Sequence, residues 1–175
     1  MDERLTTLSF PSPLGWICMA ASSRGLCLLH FCGTEQPSEE HVREILAREY
    51  PGCISEPTED SPLLLQAKEA VLAYLSKGSP LPRIPLDMSK GTLFRRDVWE
   101  ALCRIPHGET RSYLEIARSL GKPRAPRAVG QACGSNPIAL FVPCHRVLAA
   151  GGRLGGYAGG LDIKRTLLEL EGHGA

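Results

Sequence analysis

Apolar positions along this chain change period after about thirty residues. Three short stretches come first: RLTTLSF (4–10), GWICMAAS (15–22) and GLCLLHF (25–31). They are rich in β-branched, aromatic and apolar residues, and PSPLG and SRG separate them. Such runs, bounded by Gly, Pro and Ser, predict a three-stranded antiparallel meander. The spacing then turns helical. In SEEHVREILAREY (38–50), Val42, Ile45 and Leu46 share one stripe behind an N-cap Ser38 and two acids in the first turn. PGCISEPTEDS has no periodic pattern and is expected as a loop. SPLLLQAKEAVLAYLSKG (61–78) predicts a helix with Ser61 as N-cap, Pro62 at its first position and Gly78 as its stop.

The proline-rich SPLPRIPLD (79–87) predicts a semi-rigid linker. Beyond it, TLFRRDVWEALCRI (92–105) has Thr92 as N-cap and a stripe of Phe94, Val98, Leu102 and Ile105. SYLEIARSLG (112–121) opens with Ser112 and Glu115 spaced for a capping box and stops at Gly121. RAVGQACGSNP (127–137) reads as a helix of small residues ending at Gly134 and Asn136. Two short helices joined by the tight turn KPRAP predict a helix-turn-helix. LDIKRTLLELEG (161–172) predicts a closing helix with Leu161, Thr166, Leu167 and Leu170 near its buried side. Glu171 falls in the last turn, where a carboxylate opposes the helix dipole. It is either exposed and tolerated or held by a partner. The fold class expected is α+β. A small N-terminal α/β domain with the meander spans 1–88, linker included, and a mostly helical C-terminal domain spans 89–175.

Composition narrows the function. The chain has 175 residues, 43% of them hydrophobic, which suits a globular protein. No apolar run reaches ~18 residues, so no membrane span is expected. The opening MDERLTTLSF lacks an apolar core, so no secretory signal is expected. The seven cysteines are odd in number and include no CxxC pair, which suits a reducing, cytoplasmic setting. The net charge of +1 hides a split. Residues 1–88 carry 7 Lys and Arg against 12 Asp and Glu, and residues 89–156 carry 11 against 4. Residues 157–175 carry 2 against 3. A basic segment of this kind fits either a polyanion partner or a solvated basic face. The second helix of the helix-turn-helix would present Ala128, Gly130, Gln131, Ala132, Cys133 and Gly134 outward, almost none able to read base edges. Small residues there permit close approach to a narrow groove; they equally permit tight packing in a core. Arg127 at its start favours DNA.

The candidate chemistry lies in PCHR (143–146), set between the apolar runs NPIALFV and VLAA. A buried Cys is ordinarily a small hydrophobe, and a charged pair beside it is costly unless paired or used. In a regular strand Cys144 and His145 would point to opposite faces, so cooperation needs a turn or a bridging water. A thiol of pKa roughly 8.5 becomes a nucleophile through a cation, a proton acceptor or helix-end N–H groups. A Cys144–His145–Glu171 relay would supply them. The dipeptide alone leaves burial and catalysis both open.

PCHRV, preceded by GSNPIALFV and followed by GYAGGL…K…LLELEG, resembles the O6-alkylguanine-DNA alkyltransferases, the methylated-DNA–protein-cysteine methyltransferases. The likeness extends to RAVGQACGSNP, IPHGETRSY, FRRDVWEAL and SPLGWICMAASSRGLCLLHF, and so covers most of the chain. GYAGG is closer to the bacterial stand-alone enzymes. The resemblance implies repair of O6-alkylguanine, and of O4-alkylthymine, in flipped-out duplex DNA by transfer of the alkyl group to Cys144, once per molecule. His145 would act as base through a water, with Glu171 behind it and Asn136 bracing the segment. Tyr113 would donate to guanine N3, and the backbone around Val147 would read the exocyclic amine. Tyr157, Ala158 and Cys133 would line the pocket. Arg127 would fill the hole left by the base, with Ala128, Gly130, Gln131, Arg95 and Arg124 against the minor groove and its phosphates.

The resemblance also implies a monomer without cofactor, acting on double-stranded DNA and no membrane. Ser22 and Cys27 stand where some animal relatives hold a structural zinc, so no metal site is expected. Cys133 and Gly134 stand where relatives can carry bulkier groups, which bears on pocket width. Two rivals remain: a binding module that recognises alkylated DNA without repairing it, against which Cys144 stands, and a cysteine hydrolase built on Cys144, His145 and Glu171.

Overall fold

A computed structural model describes residues 4–173, in two compact units that divide between Lys90 and Gly91. In the first, strands β1 (Arg4–Ser12), β2 (Gly15–Ser22) and β3 (Gly25–Gly33) form the meander. Helix α1 (Glu39–Glu49) follows, capped by the Ser38 hydroxyl on the His41 amide. Val42, Ile45 and Leu46 pack it on Leu5, Cys18, Ala20 and Leu28 of the sheet. Strand β2 is buried from Ile17 to Ala21, so both its faces are covered. Helix α2 (Pro62–Lys77) touches β1, β2 and β3, with Ser61 as N-cap and Gly78 in the left-handed conformation that ends it.

Two expectations fail in this unit. The stretch expected as a loop contains β4 (Ile54–Pro57), which pairs parallel to β1, so the sheet order is β3-β2-β1-β4. Four residues, only one of them strongly apolar, carry no periodic signal; partners in β1 fifty positions earlier supply the pairing. The expected linker is also partly structural. Leu86 bridges Leu26 of β3, with hydrogen bonds Leu26 N to Pro85 O (2.9 Å) and Asp87 N to Leu26 O (2.8 Å). A sheet edge leaves backbone groups unpaired, and this segment satisfies them. A Cβ on Gly25 would lie 2.5 Å from the Pro85 oxygen, so only glycine admits this approach. Asp87 is buried and accepts from the Ser22 hydroxyl (2.6 Å), Arg24 Nε (3.1 Å) and the Ser89 amide (3.1 Å).

The second unit begins with α3 (Leu93–Cys103), capped by Thr92. The two-residue β5 (Arg111–Ser112) leads into α4 (Tyr113–Ser119), where Ser112 and Glu115 form the expected capping box. Helix α5 (Pro126–Gly134) ends at the expected Gly134, with Ser135 bonding back to the Ala132 carbonyl as its C-cap and Asn136 turned to the loop that follows. A 3₁₀ turn (Cys144–Arg146) and β6 (Val147–Leu148), parallel to β5, precede a 3₁₀ turn at Ala150–Gly152 and helix α6 (Leu161–Leu170). The buried side of α6 differs from the one expected: Leu161 is exposed, Thr166 and Leu170 are half-buried, and Lys164, Leu167 and Leu168 face inward. No described helix is long and apolar enough to cross a membrane.

Burial alone would raise the Asp87 carboxyl, but the Ser22, Ser89 and Arg24 hydrogen bonds outweigh it and hold it below the usual range. A depressed carboxylate stabilises the fold above its unfolded pKa of roughly 3.9, and that contribution is lost as pH falls through the folded value. Asp87→Asn is therefore expected to lower unfolding stability at pH 7 by about 1–3 kcal/mol. Denaturant titrations should show the gap from wild type closing below about pH 4.

Candidate active site

Cys144 sits in the 3₁₀ turn, not in a strand, so consecutive side chains leave in divergent directions. Its sulfur lines a cavity of about 1270 Å³ between α4, α5 and the loop after β6, while only 7% of the residue is exposed. Asn136 braces the approach. Its amide donates to the Val142 carbonyl (2.8 Å) and to the Cys144 sulfur (3.2 Å), and its oxygen accepts from the Ile138 amide (3.0 Å). The chain it spans includes Leu140 at φ +70°, a strained conformation for a branched residue, tolerated where the surroundings over-determine it. Burial pushes the Cys144 thiol up; the Asn136 hydrogen bond, the Lys164 ammonium and the turn's own N–H pull it down. Burial prevails, so the thiol is protonated at rest.

His145 is fully buried and does not line the cavity, with Nε2 2.8 Å from Glu171 Oε1. Glu171 caps α6 and answers the question its position raises: it is held. Arg146 donates to it from Nε (2.8 Å) and Nη2 (3.0 Å) and anchors itself through Nη1 on the Ile105 carbonyl (2.7 Å). The Gly108 amide adds a further donor at 3.2 Å. A carboxylate with so many donors is an acceptor only, so His145 Nε2 carries the hydrogen and Nδ1 is the basic nitrogen of the neutral ring. Burial lowers the His145 pKa, the Glu171 hydrogen bond and charge raise it, and Arg146 and Lys164 lower it again; the balance is downward. The ring is thus neutral and proton-accepting at pH 7.

Two residues that sequence reasoning passed over, Gly108 and Lys164, shape this site, and Arg146, singled out there only as a charged neighbour of Cys144, serves Glu171. Lys164 is buried, and its ammonium donates to the carbonyls of Val147 (2.7 Å), Leu154 and Gly156 (3.2 Å). It gathers the glycine-rich loop into the cavity wall. The available signal was a single Lys on the inward stripe of α6, which reads more readily as a solvated charge.

Of the other residues singled out from sequence, Tyr113, Arg127, Gly130, Gln131, Cys133, Tyr157 and Ala158 line the cavity. The Tyr113 hydroxyl is bonded by the Gly156 backbone, and burial and the neighbouring thiols keep its pKa above the ordinary tyrosine value. A Cβ on Gly155 would come 3.0 Å from that hydroxyl, which explains the glycine. Val147 lies behind the wall, its carbonyl engaged by Lys164. Ala128, Arg95 and Arg124 lie outside the lining, and both arginines are exposed. Ala132 and Cys133, expected on the outer surface of α5, are buried, because they continue the inward stripe of Val129 at i+3 and i+4. Trp99 Nε1 holds the Ala132 carbonyl at 2.9 Å.

The family described as 6-O-methylguanine DNA methyltransferase, DNA binding domain, matches residues 93–173. The methylated-DNA–protein-cysteine methyltransferase of Methanosarcina barkeri is 44% identical over 161 residues, 91% of this chain and 92% of that protein. Its namesake from Mycolicibacterium paratuberculosis is 54% identical over 114 residues, 65% and 68% of the two chains. The crystal structure of Mycobacterium tuberculosis OGT in complex with DNA superposes with a TM-score of 0.76 at 40% identity, covering 96% of this chain and 92% of that one.

Asn136→Ala removes the hydrogen bond that favours the Cys144 thiolate. Loss of one bond to a charged group, about 1.5–3 kcal/mol, predicts a tenfold or greater slowing of Cys144 alkylation by iodoacetamide at pH 7. Peptide mass spectrometry at timed quenches measures it, with the exposed Cys103 as internal standard.

Proposed function

Because the chain belongs to the methylated-DNA–protein-cysteine methyltransferase family, we propose that it repairs O6-alkylguanine in duplex DNA by taking the alkyl group onto Cys144. One observation carries this reading. Of the two thiols lining a cavity of about 1270 Å³, Cys144 receives the Asn136 hydrogen bond and has a neutral His145 held by a fully engaged Glu171 behind it, whereas burial pushes Cys133 up to about 12. Attack at an sp³ carbon suits a thiolate. The Cys144 proton passes through a water to His145 Nδ1, the S–C bond forms, and the C–O6 bond breaks with its electron pair going to the purine. Glu171 steadies the imidazolium that results and keeps the ring in its productive tautomer.

The departing guanine gathers negative charge and needs a donor. Tyr113 fits that role at N3: its raised pKa keeps the phenol protonated, and the Gly156 amide occupies its oxygen as donor, leaving the phenolic hydrogen for the base. The thioether product has no good leaving group, so each molecule acts once. A hydrolase would need a water to release the product, and an alkyl thioether offers it no carbonyl to attack. A base inside a duplex must leave the stack to reach Cys144. Helix α5 presents Gly130 and Gln131 at the cavity edge beside Arg127, which supports entry through the minor groove, with Arg127 replacing the extruded base and Arg95 and Arg124 near phosphates. Every group the reaction uses comes from one chain, which supports action as a monomer.

Cys144→Ala is expected to abolish alkyl transfer while DNA binding persists. Intact mass spectrometry after incubation with methylated duplex decides it, and a label on any other cysteine overturns the assignment. Binding of this variant to unmodified duplex should weaken linearly on a log–log salt plot, by roughly 0.9 per phosphate contacted, with little sequence preference.

Arg127→Ala is expected to slow single-turnover repair of duplex substrate by up to the few kcal/mol of unstacking. Reaction with free O6-benzylguanine, which needs no flipping, should hardly change. Tyr113→Phe should slow both. Equal slowing by Arg127→Ala on both substrates would rule out its role in flipping.

A further inference from the structure

The N-terminal unit carries four cysteines that the chemistry at Cys144 does not use, and two of them, Cys18 and Cys32, lie together. Cys18 is fully buried in β2, opposite His30 of β3. Just beyond His30 the pairing slips: Ile17 faces Phe31, but Trp16 faces Gly33. Cys32 is the extra residue of this β-bulge, and a bulge re-aims the side chain it displaces. The Cys32 thiol turns back along its strand and donates to the His30 carbonyl oxygen (3.7 Å), with the Cys18 thiol within hydrogen-bonding reach of its sulfur. Both residues pack in the cluster beneath α1, yet Cys32 keeps part of its surface in solvent. On its other side Cys18 is in register with Ser9 of β1, whose side chain also hydrogen-bonds it.

A line of three groups, Ser9, Cys18 and Cys32, therefore crosses three strands. Its polarity is set by the two thiols. The bond to Cys32, then burial, push the Cys18 thiol up. Accepting from Cys18 pulls the Cys32 thiol down against burial. Cys32 is also the sulfur that solvent reaches, because it keeps part of its surface exposed while Cys18 is fully buried.

We propose that Cys32 and Cys18 form an oxidisable dithiol, a modification site for hydrogen peroxide, with Cys32 as the attacking thiolate and Cys18 as the resolving thiol. The Cys32 sulfur attacks one peroxide oxygen; an S–O bond forms, the O–O bond breaks, and the departing hydroxide takes a proton. Cys32 is now a sulfenic acid. Cys18 attacks that sulfur, the S–S bond forms, the S–O bond breaks, and the hydroxyl leaves as water with the Cys18 proton. Two thiols and one peroxide yield one disulfide and two waters. The product cross-links β2 to β3.

The test uses the full chain. After limited exposure to hydrogen peroxide, remaining thiols are capped with N-ethylmaleimide and the protein is mapped by non-reducing peptide mass spectrometry. The expected product is lighter by two hydrogen atoms, bridged between Cys18 and Cys32, capped at the other five cysteines and restored by dithiothreitol. Cys18→Ser should stop at a Cys32 sulfenic acid that dimedone traps, and Cys32→Ser should give neither bridge nor adduct in this unit. Near-UV circular dichroism reports that each variant is folded; the wild-type map decides by itself if one is not. Exposure alone selects Cys103. Oxidation that reaches Cys103 or Cys144 while Cys18 and Cys32 remain capped overturns the proposal, and so does a bridge from Cys32 to Cys53.

Discussion

The Glu171 carboxylate is the point on which the C-terminal unit depends. It stands at the C-terminal end of α6, where the helix dipole disfavours negative charge, and it is buried, where an unpaired charge is costlier still. Only its donors make that position tenable. They come from separate parts of the chain: Arg146 and His145 from the reactive turn, and the Gly108 amide from the loop after α3. The guanidinium carries most of the compensation, because it is permanently charged and meets the carboxylate with two parallel bonds. The same pairing that closes the core therefore fixes the tautomer of the histidine behind the nucleophile.

The resting electrostatics follow from that arrangement. Burial raises the thiol and lowers the imidazole, so both groups are neutral before substrate arrives. A nucleophile that is used once gains from being unreactive toward adventitious electrophiles until a base, correctly placed, completes the relay. Hydrogen bonds between side chains and backbone preorganise the cavity wall. Asn136 spans the chain before Cys144, Lys164 gathers the loop after it, and the Gly156 backbone engages Tyr113. Small residues at Gly130, Ala158 and Gly155 leave room for close approach of backbone or base.

Local features of this fold were legible in the residues themselves. Ser38, Ser61, Thr92 and Ser112 cap the helices they announce, Pro62 opens α2, and Gly78 ends it in the left-handed conformation. The three meander strands pair as their alternation and turns imply. PCHR was legible as a site by composition, since a Cys, a His and an Arg inside an apolar run need a reason to be there.

Each of these signals acts between residues a few positions apart, where propensity and capping are decided, and the sequence by itself determines them. What tertiary structure alone decided acts across long separations. β4 exists because β1 offers a parallel edge. Residues 85–87 leave the expected linker because the edge of β3 needs partners. Lys164 turns inward because one carbonyl of β6 and two of the loop after it await its three N–H donors, and Glu171 is a carboxylate in the core because Arg146, 25 residues away, neutralises it. A buried charge is stable only with its partners in place, and one sequence position does not announce where its partners will be.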